Sequence, residues 1–134
     1  MTRIKLQYKY LLMISIFGII TVSSAFAQDK ALNGTWESSD GEEFIFNNTN
    51  FEIYSNAVPN MKGTYTANDG KIFLKPTHLY GLILGLENKW FSVNEISVIY
   101  SVEETAFEVT WDYFIRGNRL SIIIDEKLVT YIKQ

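Results

Sequence analysis

The chain has 134 residues, 12 Lys plus Arg against 15 Asp plus Glu, a single His and no Cys. That length suits one domain, and the missing cysteines exclude a disulfide framework and the thiolate ligands that zinc favours. A formal charge of −3 without any basic block argues against nucleic-acid binding, which requires a clustered cationic face.

At the N-terminus Arg3, Lys5 and Lys9 precede an apolar run from Leu11 to Val22, and Ser23-Ser24-Ala25-Phe26-Ala27 follows. This is the order of a secretory signal peptide with an Ala-x-Ala cleavage site after Ala27. A membrane anchor is the competing reading, but the run falls well short of the ~20 residues a spanning helix needs. The sequence therefore predicts a signal peptide at 1–27 and one domain at 28–134, exported to the periplasm or beyond, with no membrane span after cleavage. The three N-terminal cations are the only charges in 1–27, so residues 28–134 carry nine basic and 15 acidic side chains, a net −6. Without disulfides, burial must hold this domain together, and its 16 aromatic residues are the natural source.

From Leu32 onward, turn residues recur at short intervals: Asp40-Gly41, Asn47 to Asn50, Pro59-Asn60, Asn68-Asp69-Gly70, Gly117-Asn118 and Asp125-Glu126-Lys127. Between them lie short stretches rich in β-branched and aromatic residues. Phe44 and Phe46 share one face of a strand, as do Phe51 and Ile53 on the next. Phe107, Val109, Trp111, Tyr113 and Ile115 alternate with Glu108, Thr110, Asp112 and Phe114, which reads as one half-buried strand. Leu120, Ile122 and Ile124 continue the pattern, and Leu128 to Lys133 gives a last strand.

The rhythm breaks between Pro76 and Glu104. Leu79 to Leu86 is apolar and punctuated by Gly81 and Gly85, reading either as a mouth loop over the domain or as a buried strand. Ser92 and Glu95 then form a capping-box pattern, which predicts a helix from Ser92 to Tyr100 with Ile96, Ile99 and Tyr100 on one face. The β-branched content of that segment leaves a strand as the alternative. The expected fold is thus all-β with one short helix, an antiparallel meander barrel of about eight strands, since closure removes exposed edges. A two-sheet sandwich is the alternative.

Chemistry-bearing constellations are sparse. His78 stands alone, so it is read as a loop residue bonded to backbone, or as a lone base at a barrel mouth. Glu42-Glu43 and Glu103-Glu104 are adjacent pairs whose side chains would point to opposite faces of a strand. No metal, cofactor or catalytic group is predicted, and the chain is not expected to be an enzyme. An eight-stranded barrel interior is either just filled by side chains or holds one small ligand. Interior candidates are Trp36 as a floor plug, with Phe44, Phe46, Phe51, Tyr65, Trp111 and Tyr113 as ligand-binding or core residues.

These residues resemble a family. Asn33-Gly34-Thr35-Trp36 resembles the Gly-x-Trp signature on the first strand of lipocalins, and Thr110-Trp111-Asp112-Tyr113 echoes their Thr-Asp-Tyr motif with Trp111 intervening. The resemblance implies a small bacterial lipocalin-like barrel in which Arg119 packs over Trp36. The function expected is a monomeric, exported binder of a small apolar or amphipathic molecule. A protein-interaction or inhibitor-like module of the cell envelope, using Leu79 to Trp90, is the alternative.

Overall fold

The computed structural model describes residues 28–134. The predicted signal peptide, residues 1–27, lies outside the described residues. Nine strands form one antiparallel sheet: β1 Gly34–Ser38, β2 Glu42–Asn47, β3 Asn50–Ser55, β4 Val58–Asn68, β5 Lys71–Tyr80, β6 Trp90–Ser92, β7 Val109–Arg116, β8 Arg119–Ile124 and β9 Lys127–Lys133. Pairing of β1 with both β2 and β9, and of β5 with both β4 and β7, closes eight of them into a meander barrel. The expected barrel is therefore present and the sandwich is not.

The ninth strand, β6, lies outside the ring. β5 pairs with β7 only through Lys71–Leu74 and takes β6 as its partner from His78 to Tyr80. Its departure makes room for an excursion between β6 and β7 that contains helix α1, Val93–Tyr100, and a 3-10 turn, Glu104–Phe107. The predicted helix forms for the predicted reason: the Ser92 hydroxyl oxygen accepts from the Glu95 amide at 3.1 Å, and its O–H faces the Glu95 carboxylate at 3.3 Å.

Four expectations change. The helix buries Val93 and Ile96, whereas Ile99 and Tyr100 face solvent, because the apolar surface beneath it is offered by Leu79 and Phe91. Phe107 leaves the predicted strand and closes the 3-10 turn against that same second cluster. The Leu79 to Leu86 run is divided: Leu79 and Tyr80 finish β5, and Gly81 starts a hydrogen-bonded loop whose Leu82 and Ile83 are exposed. The predicted Pro59-Asn60 turn lies at Asn56-Ala57, both at positive φ, while Pro59 pairs with Tyr54 beside a bulge that accommodates Asn60.

The barrel core is one cluster of alternating residues from every strand of the ring, with Trp36, Ile72, Leu74, Leu120 and Ile122 wholly buried. Each large side chain of this kind contributes about 1.5–3 kcal/mol on burial. A second cluster of Leu79, Phe91, Val93 and Ile96 underlies α1, and Met61 packs against both.

Candidate functional site

The two ends of the barrel differ. At the lower end, where β1 begins and β9 finishes, a 3-10 turn at Lys30–Leu32 crosses the opening and drops Leu32, fully buried, into the core. Trp36 lies against it, its Nε1 donating to the Leu32 carbonyl at 2.8 Å. Gln28 fastens the turn to the wall: its amide nitrogen donates to the Asn48 and Tyr65 carbonyls at 3.0 and 2.8 Å, and its amide oxygen accepts from the Ala67 N–H at 2.6 Å. Asp29 caps the turn and accepts the Tyr113 hydroxyl at 2.5 Å.

Above Trp36, Lys133 places its ammonium 5.3 Å from the indole centroid. Lys133, on the strand that closes the barrel against β1, thus occupies the position assigned by resemblance to Arg119, which is exposed on β8 and pairs with Ile132 and Arg116. Gly34 permits this, since a Cβ there would come within 2.9 Å of the Lys133 Cε.

Across the middle of the lumen runs an aromatic stack. Phe44 on β2 lies 4.7 Å from Tyr131 on β9 and 6.0 Å from Trp111 on β7, with the Phe44 and Trp111 planes only 7° apart. Phe46 meets Phe44 edge-on, and Tyr65 meets Phe46 at 4.8 Å. Because β2 and β7 are four strands apart in a ring of eight, Phe44 and Trp111 meet across its full width. Each such contact adds about 0.5–1.5 kcal/mol beyond burial.

The seven predicted interior residues are therefore brought together. Trp36, Phe44, Phe46, Phe51, Tyr65 and Tyr113 are buried in the core, and Trp111 is only partly buried at its upper side. At the upper end, Trp111 is joined by four residues that were not picked as site candidates. Met61, Val109, Trp111, Ile124 and Val129 are half-buried and pack on the core from the ends of β4, β7, β8 and β9. Beside them Glu42 accepts the Tyr131 hydroxyl at 2.6 Å, and the Ser38 hydroxyl oxygen accepts from the Glu42 amide at 3.1 Å. Alternation along β8 and β9 identifies Ile124 and Val129 as inward, but not that they stay only half-buried at their end of the barrel.

Three interior tyrosines have raised pKa values. Burial, then the Asp29 charge, pushes Tyr65 up to about 12. Burial and the hydrogen bond to Asp29 push Tyr113 higher still, and burial with the Glu42 bond does the same for Tyr131. All three stay protonated near neutrality: Tyr113 and Tyr131 donate their hydroxyls to the Asp29 and Glu42 carboxylates, and Tyr65 donates to the Asn33 side-chain amide oxygen at 3.5 Å.

His78 is on β5, opposite Lys62 and Ser92, and faces the outside of the wall. Its Nδ1 lies 2.9 Å from the Thr77 hydroxyl, beside a bulge where Gly63 must lack a side chain: a Cβ there would meet the Lys75 carbonyl at 2.2 Å. An outer groove of ≈ 290 Å³ runs along Glu52, Lys62, Gly63, Thr77 and His78. The Lys62 ammonium leans over the Trp90 ring at 4.4 Å, and Glu52 accepts the Tyr54 hydroxyl. Among the described residues no three His, Asp or Glu side chains gather as a cation site, and no helix is long and apolar enough to cross a membrane.

No protein-family model matches the chain, and comparisons with curated proteins and with solved structures gave no match.

Proposed function

We propose that residues 28–134 form an exported, lipocalin-like binding protein without catalytic activity, which takes a small apolar or amphipathic molecule at the upper mouth of the barrel. The observation that carries this reading is the contrast between its ends. The lower end is closed by Leu32, Trp36 and Lys133, and the Phe44–Trp111–Tyr131 stack fills the middle. The upper rim instead presents half-buried apolar side chains next to a carboxylate. Such a shallow site offers Val129, Ile124 and Trp111 to an apolar body and the Glu42–Tyr131 pair to a polar head. A deep cup would require the aromatic stack to part.

Export is supported by the order of charges, apolar run and small residues in 1–27. The side chain of Gln28, the first residue after the proposed cleavage point, is already tied to three backbone groups of the barrel. Sequencing the purified protein should find Gln28 at its N-terminus, and retention of residues 1–27 would overturn this part of the reading.

The binding test is a fluorescence titration with long-chain amphiphiles and an apolar dye. Saturable quenching is expected, lost mainly in Trp111→Phe, since Trp36 is sealed below and Trp90 lies outside the ring. Val129→Asp should weaken binding at least tenfold while leaving the wholly buried core intact. No saturable quenching, or undiminished binding by Val129→Asp, rejects the mouth as the site.

A further inference from the structure

The segment from Gly81 to Glu108 has a composition unlike the barrel it interrupts. Among the described residues it holds six of the ten exposed large apolar side chains: Leu82, Ile83, Val98, Ile99, Tyr100 and Val102. Val98 is 72% exposed and Ile83 54%. The Tyr100 hydroxyl donates to the Leu84 carbonyl at 3.1 Å, which holds the C-terminal end of α1 across the 81–86 loop and joins their apolar residues into one surface. Scattered exposed apolar residues need no explanation, but a gathered patch does.

The same 28 residues carry Glu87, Glu95, Glu103, Glu104 and Glu108 against the single cation Lys89, so −4 of the net −6 falls here. Glu87 pairs with Lys89 at 3.5 Å, and the other four carboxylates have no cationic partner among the described residues. The segment also has its own buried cluster, so its outer face can be engaged without disturbing the barrel core.

We infer that this apolar face, carried on a segment of net charge −4, is a docking surface for a cationic amphipathic segment of a second protein. Charge chooses among the occupants. A second copy of this chain would bring the same −4 against the first, and an anionic lipid surface would be repelled in the same way. A segment with apolar residues on one face and Lys or Arg on its flanks covers the patch and offsets the acidic charge of 81–108, gaining in association rate as well as affinity. This inference does not rest on the mouth site.

The test titrates the purified protein with two synthetic 18-residue helical peptides of one apolar pattern, one with Lys and one with Glu at the polar positions. The Lys peptide should bind saturably, with amide shifts confined to 81–108, and should weaken about tenfold as salt rises from about 0.05 to about 0.5 M. Val98→Ser with Ile99→Ser, both outside the buried cluster, should weaken it at least fivefold, and so should Glu103→Lys with Glu104→Lys. Trp111→Phe should leave it unchanged. The inference fails if the Lys peptide does not bind, if the Glu peptide binds equally, or if the patch variants bind normally. It also fails if the patch mediates dimers in sedimentation or binds zwitterionic phosphatidylcholine vesicles instead of the peptide.

Discussion

Lys133 and Trp36 show what a single contact does in this barrel and why it escapes a reading of the chain. The two residues are 97 positions apart and meet because β9 closes against β1, with Trp36 opposite Lys133 in the register. The resemblance points to Arg119, a cation just before a late strand, but the seam that decides which cation meets Trp36 is a tertiary fact. The correction makes a prediction. Lys133→Met keeps most of the stem over the indole and removes the charge, so it should cost about 0.5–1 kcal/mol, the scale of an exposed cation–π contact. Arg119→Met should stay within about ±0.5 kcal/mol, as an exposed substitution away from the core. Urea midpoints of the two variants decide between them, and equal losses would reject the contact. Gly63 makes a harder demand, because its neighbours are backbone: the Lys75 carbonyl and the Pro76 Cα lie 2.2 and 2.7 Å from the position of an added Cβ. Gly63→Ala should therefore destabilise by about 1–3 kcal/mol, the usual cost of overpacking, and a neutral outcome would show that the β4–β5 bulge is not held as described.

At the scale of elements, α1 was legible because its start is encoded locally. Ser92 and Glu95 need only each other to specify a helix N-terminus, and they do so at the expected position. Its buried face was not legible, since the surface beneath it comes from β5 and β6, and β6 is only three residues long. Phe107 was misread for a related reason: alternation of residue types runs unbroken through a turn when both sides of the turn bury an aromatic. The Asn56-Ala57 turn hid behind Ala57, at φ 66, a residue that seldom adopts the left-handed region. Ser92→Ala removes the cap and should cost about 1 kcal/mol. Because the residues under α1 form their own cluster, the loss should appear as faster amide exchange across 81–107 with little change in β1–β4. Uniformly faster exchange would instead mean that the excursion and the barrel open as one unit.

For the molecule as a whole, the alternation that predicted the strands also predicted closure, because eight short antiparallel strands leave no other way to remove both edges. What alternation does not reveal is the polar side of the interior, where Tyr113 reaches Asp29 and Tyr131 reaches Glu42 across 84 and 89 positions of sequence. Those pairs make the stability of the fold depend on alkaline pH in a definite direction. Tyr65, Tyr113 and Tyr131 hold their protons above the ordinary value of 10.0, Tyr65 to about 12, whereas the unfolded chain ionises near the ordinary value. The stabilisation is therefore full below about pH 10, where both states are protonated, and declines as pH rises through the folded values, because the unfolded state sheds protons first. Denaturant midpoints should be flat on this account up to about pH 10 and fall steeply between about pH 10 and pH 12. Phenolate absorbance should rise in two stages, the exposed hydroxyls first and the buried three only as the far-ultraviolet circular dichroism of the barrel is lost. If all the tyrosines titrate together near pH 10 with the barrel intact, then the interior is open to water, and the aromatic stack across the lumen cannot be what holds the fold together.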